Sequence, residues 1–447
     1  MTYNINHADI KEWAANYEGE PFDAILCDPP YELGFMGKSW DNSGIAFDKD
    51  MWADILKLLK PGGHLLAFSG SRTYHRMAVA IEDAGFEIRD MIEWVYGSGF
   101  PKSLNIGKAV DKIQGNERKV VGTSLQGTKD NGVTTIAISK GGYGYKEGII
   151  DITKGTSEWE GYGTALKPAH EPCVLARKPL EKGMTVATNA LKHGTGGLNI
   201  DGSRVKSGET TKSEGHFRKG NVIGDERTSV AAGQFGDGAW VAGTDLSQGR
   251  FPANLIHDGS DEVEAVFPNS KSTIDRNPIN RGTSKSWYTG DHVDRVQRGD
   301  SGSASRFFYT SKASKSERNA GLDGFEAVNV LGYEFDPENP YKSGKMNNSN
   351  IHQLTIARTG KPPQPQKNHH PTVKPLSLTK YLATLIKPPT GGRLLVPFSG
   401  SGSEMIGALQ AGWEYVEGVE LTEEYIPIAE ARIKYWLEQK DKQMRLI

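Results

Sequence analysis

Short apolar runs alternate with amphipathic stretches near the start of the chain. The run from Phe22 to Cys27 is mostly apolar and stops at Asp28-Pro29-Pro30-Tyr31, which is typical of a buried strand that ends in a rigid loop. Apolar residues at helical spacing then predict a helix between residues 50 and 60. We expect the sequence Lys60-Pro61-Gly62-Gly63 to end that helix.

The alternation continues to residue 96. The same patterns predict a strand over 64–68, a helix over 77–84 and a strand over 86–96. Strands that alternate with helices of this length form a mostly parallel sheet. The first part of the chain is therefore predicted to have an α/β fold.

Residues 366–447 return to this pattern. A helix through Leu378 and Leu385 precedes a strand over 393–398, which leads into the small residues Ser399 to Ser403. A helix over 405–411, a strand over 413–421 and an amphipathic helix from Tyr425 follow. The order of strand, glycine loop, helix, strand and acidic residue is typical of a nucleotide-binding unit.

Between these two parts the periodicity fades and glycine accumulates. The chain has 53 glycines in 447 residues, about 12% against a usual value of roughly 7%. A strand over 171–177 is predicted, whereas 183–365 is polar and glycine-rich and ends in a stiff proline-rich linker at 361–365. We therefore predict α/β segments at 1–182 and 366–447, separated by a loop-rich domain at 183–365.

Composition excludes several classes of protein. No apolar run is long enough to span a bilayer, and the N-terminus lacks the pattern of a secretory signal. The two cysteines cannot form a disulfide framework or a multi-cysteine zinc site, and we expect no metal. The net charge is −2, but residues 61–385 carry 41 basic and 35 acidic side chains, a weak indication of phosphate contact. A cytoplasmic protein is expected.

Asp28-Pro29-Pro30-Tyr31 combines three groups that suit an amine on a nucleobase. The Asp28 carboxylate and the Pro29 carbonyl can accept both amine hydrogens, and Tyr31 offers a face for stacking. Two acceptors favour a pyramidal nitrogen whose lone pair points at an electrophilic methyl group. The motif therefore indicates transfer of a methyl group to an amine.

The loop from Phe398 to Ser403 is suited to a nucleotide-like cofactor. Small residues allow the backbone to approach a ligand closely, and the following helix offers free N–H groups. Glu420 lies 18 positions after Gly402, near the spacing of about 20 at which an acidic residue binds ribose hydroxyls. The full dinucleotide fingerprint is absent because Met stands at position 405.

Taken together, these motifs resemble the DNA amino-methyltransferases of the permuted, β-type order, in which the catalytic motif precedes the cofactor loop. Further matches, in the expected order, are Ala8-Asp9, Leu58 to Gly63, Gly99 to Asn105, His170-Glu171-Pro172, His370 to Pro375 and Val419-Glu420. The resemblance covers 1–182 and 366–447, with a phage-like character in the 99–105 stretch. It implies a Rossmann-like, S-adenosylmethionine-dependent methyltransferase sheet with an inserted target-recognition domain.

The resemblance also implies roles for individual residues. Asp28 and Pro29, followed by Pro30, would bind the target amine, and Tyr31 would stack on the extruded base. S-adenosyl-L-methionine is the expected cofactor. Its expected ligands are Asp9 at the adenine, Thr372 and Lys374 at the amino-acid end, Phe398, Ser399, Gly400, Ser401 and Gly402 around the methionine moiety, and Glu420 at the ribose.

The expected reaction is methylation of adenine N6 in double-stranded DNA, in some relatives paired with a cognate restriction endonuclease. N4-cytosine methylation is the main alternative, and RNA or protein amides are less favoured substrates. Pro397 stands where relatives usually have Asp, so a DNA-binding homologue with impaired catalysis is a further alternative. The basic residues of 183–365, including Arg204 and Arg250, are candidates for DNA contacts.

Overall fold

A computed structural model of the protein describes residues 1–33, 39–99, 103–125, 149–205, 217–218, 240–241, 249–271, 301–311, 314–327 and 367–444. The predicted linker at 361–365 and much of the predicted 183–365 domain lie outside these ranges.

The described strands are β1 (Thr2–His7), β2 (Phe22–Cys27), β3 (Leu59–Phe68), β4 (Glu87–Val95), β5 (Lys119–Leu125), β6 (Ile149–Lys154), β7 (His170–Arg177), β8 (Phe217–Arg218), β9 (Trp240–Val241), β10 (Leu255–His257), β11 (Asn269–Lys271), β12 (Ser301–Ser303), β13 (Tyr309–Thr310), β14 (Arg393–Val396) and β15 (Tyr415–Glu420).

The described α-helices are α1 (Ile10–Ala15), α2 (Lys49–Leu58), α3 (Tyr74–Asp83), α4 (Ile106–Gln114), α5 (Val186–His193), α6 (Asp261–Glu264), α7 (Lys315–Asn319), α8 (Leu376–Leu385), α9 (Ser403–Ala411) and α10 (Ile426–Met444).

Nine of these strands form one central sheet in the order β1-β15-β14-β2-β3-β7-β4-β10-β13. Neighbouring strands are parallel except at β7, which runs antiparallel to both β3 and β4. The α/β fold with a mostly parallel sheet, predicted from the sequence, is confirmed.

Helices cover both faces of this sheet. Along β2, Ala24 and Leu26 face a core shared with α8 and α9, whereas Ile25 and Cys27 face a core shared with α1, α2 and α3. All six residues of β2 are buried. Because both faces are covered, the strand shows a nearly continuous apolar run instead of alternation.

Helices α8 and α9 approach each other closely at Gly407. A Cβ atom there would lie 2.3 Å from Thr379 Oγ1 and 2.6 Å from the Lys380 backbone nitrogen. Only glycine fits without displacing the neighbouring helix. This contact fixes α9, whose N-terminus follows the predicted cofactor loop.

The structure corrects the predicted end of the helix between residues 50 and 60. Helix α2 ends at Leu58, and Lys60-Pro61-Gly62-Gly63 lies inside β3 instead of forming a stop. Here Gly62 N–H donates to Lys178 O at 3.1 Å, and Lys178 N–H donates to Gly63 O at 2.8 Å. The hydrogen-bond partners come from a distant part of the chain, so local sequence signals do not reveal them.

Two strands from the predicted loop-rich domain extend the central sheet. In the parallel register, Leu255 pairs with Glu93 of β4, and Ile256 pairs with Tyr309. The Tyr309 ring stacks on Tyr381 of α8, with centroids 3.9 Å apart. These two strands of 183–365 therefore form part of the central sheet.

Candidate active site

The predicted site residues follow neighbouring parallel strands at one edge of the sheet. Asp28 follows β2, the loop from Phe398 to Gly402 follows β14, and Glu420 is the last residue of β15. Asp9 comes two residues after β1. Parallel strands place their carboxyl ends at the same edge, where ligands bind in open α/β sheets.

Asp28 is held by a lysine from the other end of the chain. Lys374 Nζ donates to Asp28 Oδ2 at 2.6 Å, and Lys374 is only 6% exposed. The same Nζ lies 3.3 Å from Glu171 Oε2. Burial alone would lower the pKa of Lys374, but the charges of Asp28 and Glu171 outweigh it and raise that pKa. The lysine is therefore charged at neutral pH.

The second oxygen of the Asp28 carboxylate is buried and unused. Asp28 Oδ1 has no hydrogen-bond partner among the described residues. A buried acceptor without a partner is costly in a folded protein and is frequently found where a ligand binds. Pro29, whose carbonyl is the second expected acceptor, is also buried, and Pro30 is half-buried.

Tyr31 is held through both its hydroxyl and its backbone carbonyl. Its hydroxyl donates to Glu171 Oε2 at 2.9 Å and accepts from Lys374 Nζ at 3.0 Å. Its carbonyl accepts from Thr73 Oγ1 at 2.7 Å. Burial, followed by the charges of Asp28 and Glu171, raises the pKa of Tyr31 well above its ordinary value, so the phenol stays neutral.

Glu420 holds the glycine loop. Its Oε2 accepts from Gly400 N–H at 2.7 Å, and its Oε1 accepts from Thr422 N–H at 2.8 Å. The backbone at Gly400 and Gly402 is left-handed, with φ of 49° and 81°. Burial raises the pKa of Glu420, although these backbone bonds oppose the shift.

A buried arginine of α10 supports the loop from behind. Arg432 Nη1 donates to the Ser401 carbonyl, to Ser401 Oγ at 3.0 Å and to Ser403 Oγ at 3.2 Å. Arg432 is fully buried, and burial lowers its pKa to about 10. Ser399 N–H donates to Val419 O at 2.9 Å. The loop is thus held by the backbone carbonyl of Val419, by the side chain of Glu420 and by the side chain of Arg432.

Asp9 and Thr372 lie at the margins of the site. Asp9 caps α1 by accepting from Lys11 N–H at 2.8 Å, and the neighbouring Ala8 N–H donates to Glu420 O. Thr372 is exposed, and its carbonyl contacts the His370 ring. Among the described residues, neither side chain contacts Asp28 or the glycine loop.

Three charged residues, of which Glu404 and Arg432 are buried and Glu171 is half-buried, join the site without having been predicted to do so. Glu171 contacts Tyr31 and Lys374, whereas Arg432 and Glu404 lie on the helices behind the loop. Burial, and then the charge of Asp28, raises the pKa of Glu404 to about 7. Only Glu171 had a sequence signal, since it falls within the family-like segment at His170.

Pro397 is accommodated without loss of the loop. It is buried directly after β14, and the bonds that hold the loop begin two residues later at Ser399. The missing N–H and carboxylate at position 397 therefore leave the contacts from Val419, Glu420 and Arg432 in place.

Within the described ranges, no group of three or more His, Cys, Asp or Glu side chains is placed to hold a metal ion. None of the helices in the described part of the chain is both long enough and apolar enough to cross a membrane.

Comparison with known proteins supports the resemblance seen in the sequence. A family model for N6/N4 DNA methylases matches residues 22–431. The type II methyltransferase M.HindIII of Haemophilus influenzae is 26% identical over 171 residues, which cover 38% of this chain and 40% of that protein. YubD, a candidate methylase of Escherichia coli, is 35% identical over 91 residues, covering 17% of this chain and 39% of YubD. The chain thus matches about two fifths of each relative's length.

Solved structures are similar over nearly the whole chain but at low identity. The PvuII DNA methyltransferase, described as cytosine-N4-specific, is 11% identical with a TM-score of 0.39, covering 97% of this chain and 86% of that chain. A DNA modification methylase of Thermus thermophilus, complexed with S-adenosyl-L-methionine, is 12% identical with a TM-score of 0.34, covering 98% and 96%. Because these scores are low, the assignment rests on the family model.

The matched residues, 22–431, include the Asp28 motif, Lys374, the glycine loop and Glu420. The methyl donor of the matched family is S-adenosyl-L-methionine. The predicted family is confirmed: this chain belongs to the N6/N4 DNA methylase family.

Proposed function

We propose that this protein methylates the N6 amine of adenine in double-stranded DNA, using S-adenosyl-L-methionine. The observation that carries the proposal is how the two oxygens of the Asp28 carboxylate are placed. One carboxylate oxygen is held by Lys374 at 2.6 Å, and the other is buried without a partner among the described residues. The site thus presents one fixed, unused acceptor beside an aromatic ring and a glycine loop.

The residues beside Asp28 suit a planar base that carries an amine. Asp28 Oδ1 and the Pro29 carbonyl accept the two amine hydrogens, while the Tyr31 ring stacks on the base. Because the Tyr31 hydroxyl is tied to Glu171 and Lys374, the ring cannot turn away. The target base must leave the duplex to reach these groups, at a cost of a few kcal/mol that other DNA contacts offset.

Asp28 acts through position more than through basicity. By accepting a hydrogen bond from the amine and stabilising its partial positive charge, it directs the nitrogen lone pair out of the ring plane. The amine proton becomes acidic only as the nitrogen gains its methyl group, so a strong base is not needed. Orientation of this kind accounts for much of the rate acceleration when reactants are held in line.

The cofactor pocket has unsatisfied groups that fit a polar ligand. Ser399 Oγ and Glu404 Oε1, both buried, have no hydrogen-bond partner among the described residues, and the loop at Gly402 leads into the free N–H groups of α9. When bound, S-adenosyl-L-methionine supplies an electrophilic methyl group. We assign Phe398 to Gly402 to its methionine moiety, Glu420 to its ribose, Asp9 to its adenine and Thr372 to its amino-acid end.

The remaining parts of the proposal concern DNA recognition. The residues of 183–365 supply target recognition, with the described β10 and β13 fixing that segment to the sheet beside β4. Arg250 stacks over the Phe307 ring at 4.3 Å, so it serves the structure of this segment. A phage or prophage context and a cognate endonuclease follow from the family resemblance alone.

The test is transfer of labelled methyl groups to unmethylated duplex DNA, followed by digestion to nucleosides. We expect N6-methyladenine from the wild type, no label from Asp28→Ala, and wild-type labelling from the control Asp83→Ala, an exposed acid at the end of α3. N4-methylcytosine would establish the alternative base. Absence of label with retained DNA binding would identify a binding protein without activity.

A further inference from the structure

The Lys374 ammonium group is directed at the catalytic motif. An ammonium group has three donors and no acceptor. Its three polar neighbours are Asp28 Oδ2 at 2.6 Å, Tyr31 Oη at 3.0 Å and Glu171 Oε2 at 3.3 Å. Two hydrogen bonds and one ion pair thus hold the ammonium group between the catalytic motif and Glu171.

We propose that Lys374 is a positioning residue for the base-binding motif and not a ligand of the cofactor's carboxylate. It holds Asp28 by Oδ2 and Tyr31 by its hydroxyl, which leaves Asp28 Oδ1 as the acceptor that meets the target amine. This inference rests on the proposed function, because it assigns Asp28 to that amine.

Glu171 sets the direction of the hydrogen bond made by the Tyr31 hydroxyl. Its Oε2 accepts from Tyr31 Oη at 2.9 Å and also lies beside Lys374 Nζ. The tyrosine hydroxyl therefore donates its single proton to Glu171 and accepts a hydrogen bond from Lys374. A lysine without this second carboxylate would be free to turn toward the cofactor loop.

Charge balance supports the same role. Two carboxylates, Asp28 and Glu171, face one buried ammonium, and Glu404 is a third acid whose charge interacts with both Asp28 and Lys374. Without Lys374, the half-buried carboxylates of Asp28 and Glu171 would lose the cation between them. Repulsion between them would move Asp28 from its position.

The first experiment compares Lys374→Met with the exposed control Lys380→Met on α8. We expect Lys374→Met to bind S-adenosyl-L-methionine in calorimetry within about threefold of the wild type, while kcat falls by about 100-fold. Lys380→Met should match the wild type in both quantities. A Lys374→Met protein with wild-type kcat and weakened cofactor binding overturns the proposal, since that pattern marks a cofactor ligand.

A second experiment tests the proposal even if Lys374→Met folds poorly, because it measures stability and cofactor binding and not activity. Lys374→Met, Asp28→Asn and the double variant form a cycle measured by urea denaturation and cofactor calorimetry. We expect the double variant to be more stable than additivity predicts, because removal of the Lys374 ammonium no longer leaves a charged Asp28 without its partner. Additive stabilities, or a double variant that binds cofactor far more weakly than Asp28→Asn, overturn the proposal.

These outcomes separate the inference from the proposed function. If the wild-type protein methylates no DNA, the proposed function fails, whereas the cycle still decides whether Lys374 is coupled to Asp28. If methylation occurs and the cycle is additive, the function stands and the role of Lys374 is overturned.

Discussion

The carboxylate of Glu420 accepts a hydrogen bond from the backbone N–H of Gly400 at 2.7 Å. The two residues belong to neighbouring parallel strand ends, since β14 leads into the glycine loop and β15 ends at Glu420. The acid expected to bind the ribose thus also holds the loop expected to bind the methionine moiety. One side chain links the two ends of the proposed cofactor site.

Glu420→Gln should weaken cofactor binding through this link. The amide keeps one acceptor oxygen but turns an NH2 group toward a backbone N–H, at Gly400 or at Thr422. We expect the dissociation constant for S-adenosyl-L-methionine to rise by about 10- to 100-fold, equivalent to about 1.4–2.8 kcal/mol. Titration calorimetry tests this, with the exposed Glu423→Gln as the matched control. Unchanged affinity would show that the loop does not depend on Glu420.

Gly407→Ala should destabilise the protein by separating α8 from α9. The new Cβ would meet Thr379 Oγ1 at 2.3 Å and the Lys380 backbone, and overpacking of this kind costs about 1–3 kcal/mol. Gly197→Ala is the control, because no atom lies within 4 Å of its added Cβ. Urea denaturation compares the two. Equal stabilities would mean that the helices shift apart at no cost.

Glu404 should make stability depend on pH between about 4.5 and 7. Its folded pKa is raised to about 7 from 4.5, so in this window the folded state keeps a proton that the unfolded state loses. The free energy of unfolding therefore falls as pH rises, by up to about 3 kcal/mol from this group, and levels off above pH 7.

Glu404→Gln removes this contribution. We expect the variant to gain stability relative to the wild type as pH increases from 5 to 7, measured by urea denaturation at several pH values. Stability curves that run parallel for the two proteins would contradict the prediction.

Tyr309→Ala should loosen β13, at the edge of the central sheet. The variant loses the stack on Tyr381 and the bond from Tyr309 Oη to Ser377 O at 3.2 Å. We expect a loss of about 2–3 kcal/mol in the free energy of unfolding, against about 1 kcal/mol for Tyr309→Phe, which keeps the stack. A similar loss in both variants would assign the stability to the hydroxyl and not to the ring.

The strand ends of the site were predictable from sequence because their signals are local. Asp28 directly follows β2 and Glu420 is the last residue of β15, and the glycine loop lies between a strand and a helix. Parallel pairing then brings these ends to one edge, which follows from the α/β pattern without any knowledge of contacts.

The side chains that complete the site depend on packing between distant segments. Lys374 reaches Asp28 across 346 positions, and Arg432 reaches Ser401 from a helix with its own apolar face. Its sequence neighbourhood does not distinguish Lys374 from a cofactor ligand. The strand through Pro61 and Gly62 was missed for the same reason, because its hydrogen-bond partner is Lys178.

The pairing of β2 with β14, and of the Gly400 loop with Glu420, also determines when the site can assemble during synthesis. Strand β2 lacks its neighbour β14 until residue 396 has been made, and the Gly400 loop lacks its carboxylate until Glu420 has been made. A nascent chain that ends before this point holds the Asp28 motif without the segments that orient it. The complete set of contacts around Asp28 and the glycine loop can therefore form only after Glu420 has been made.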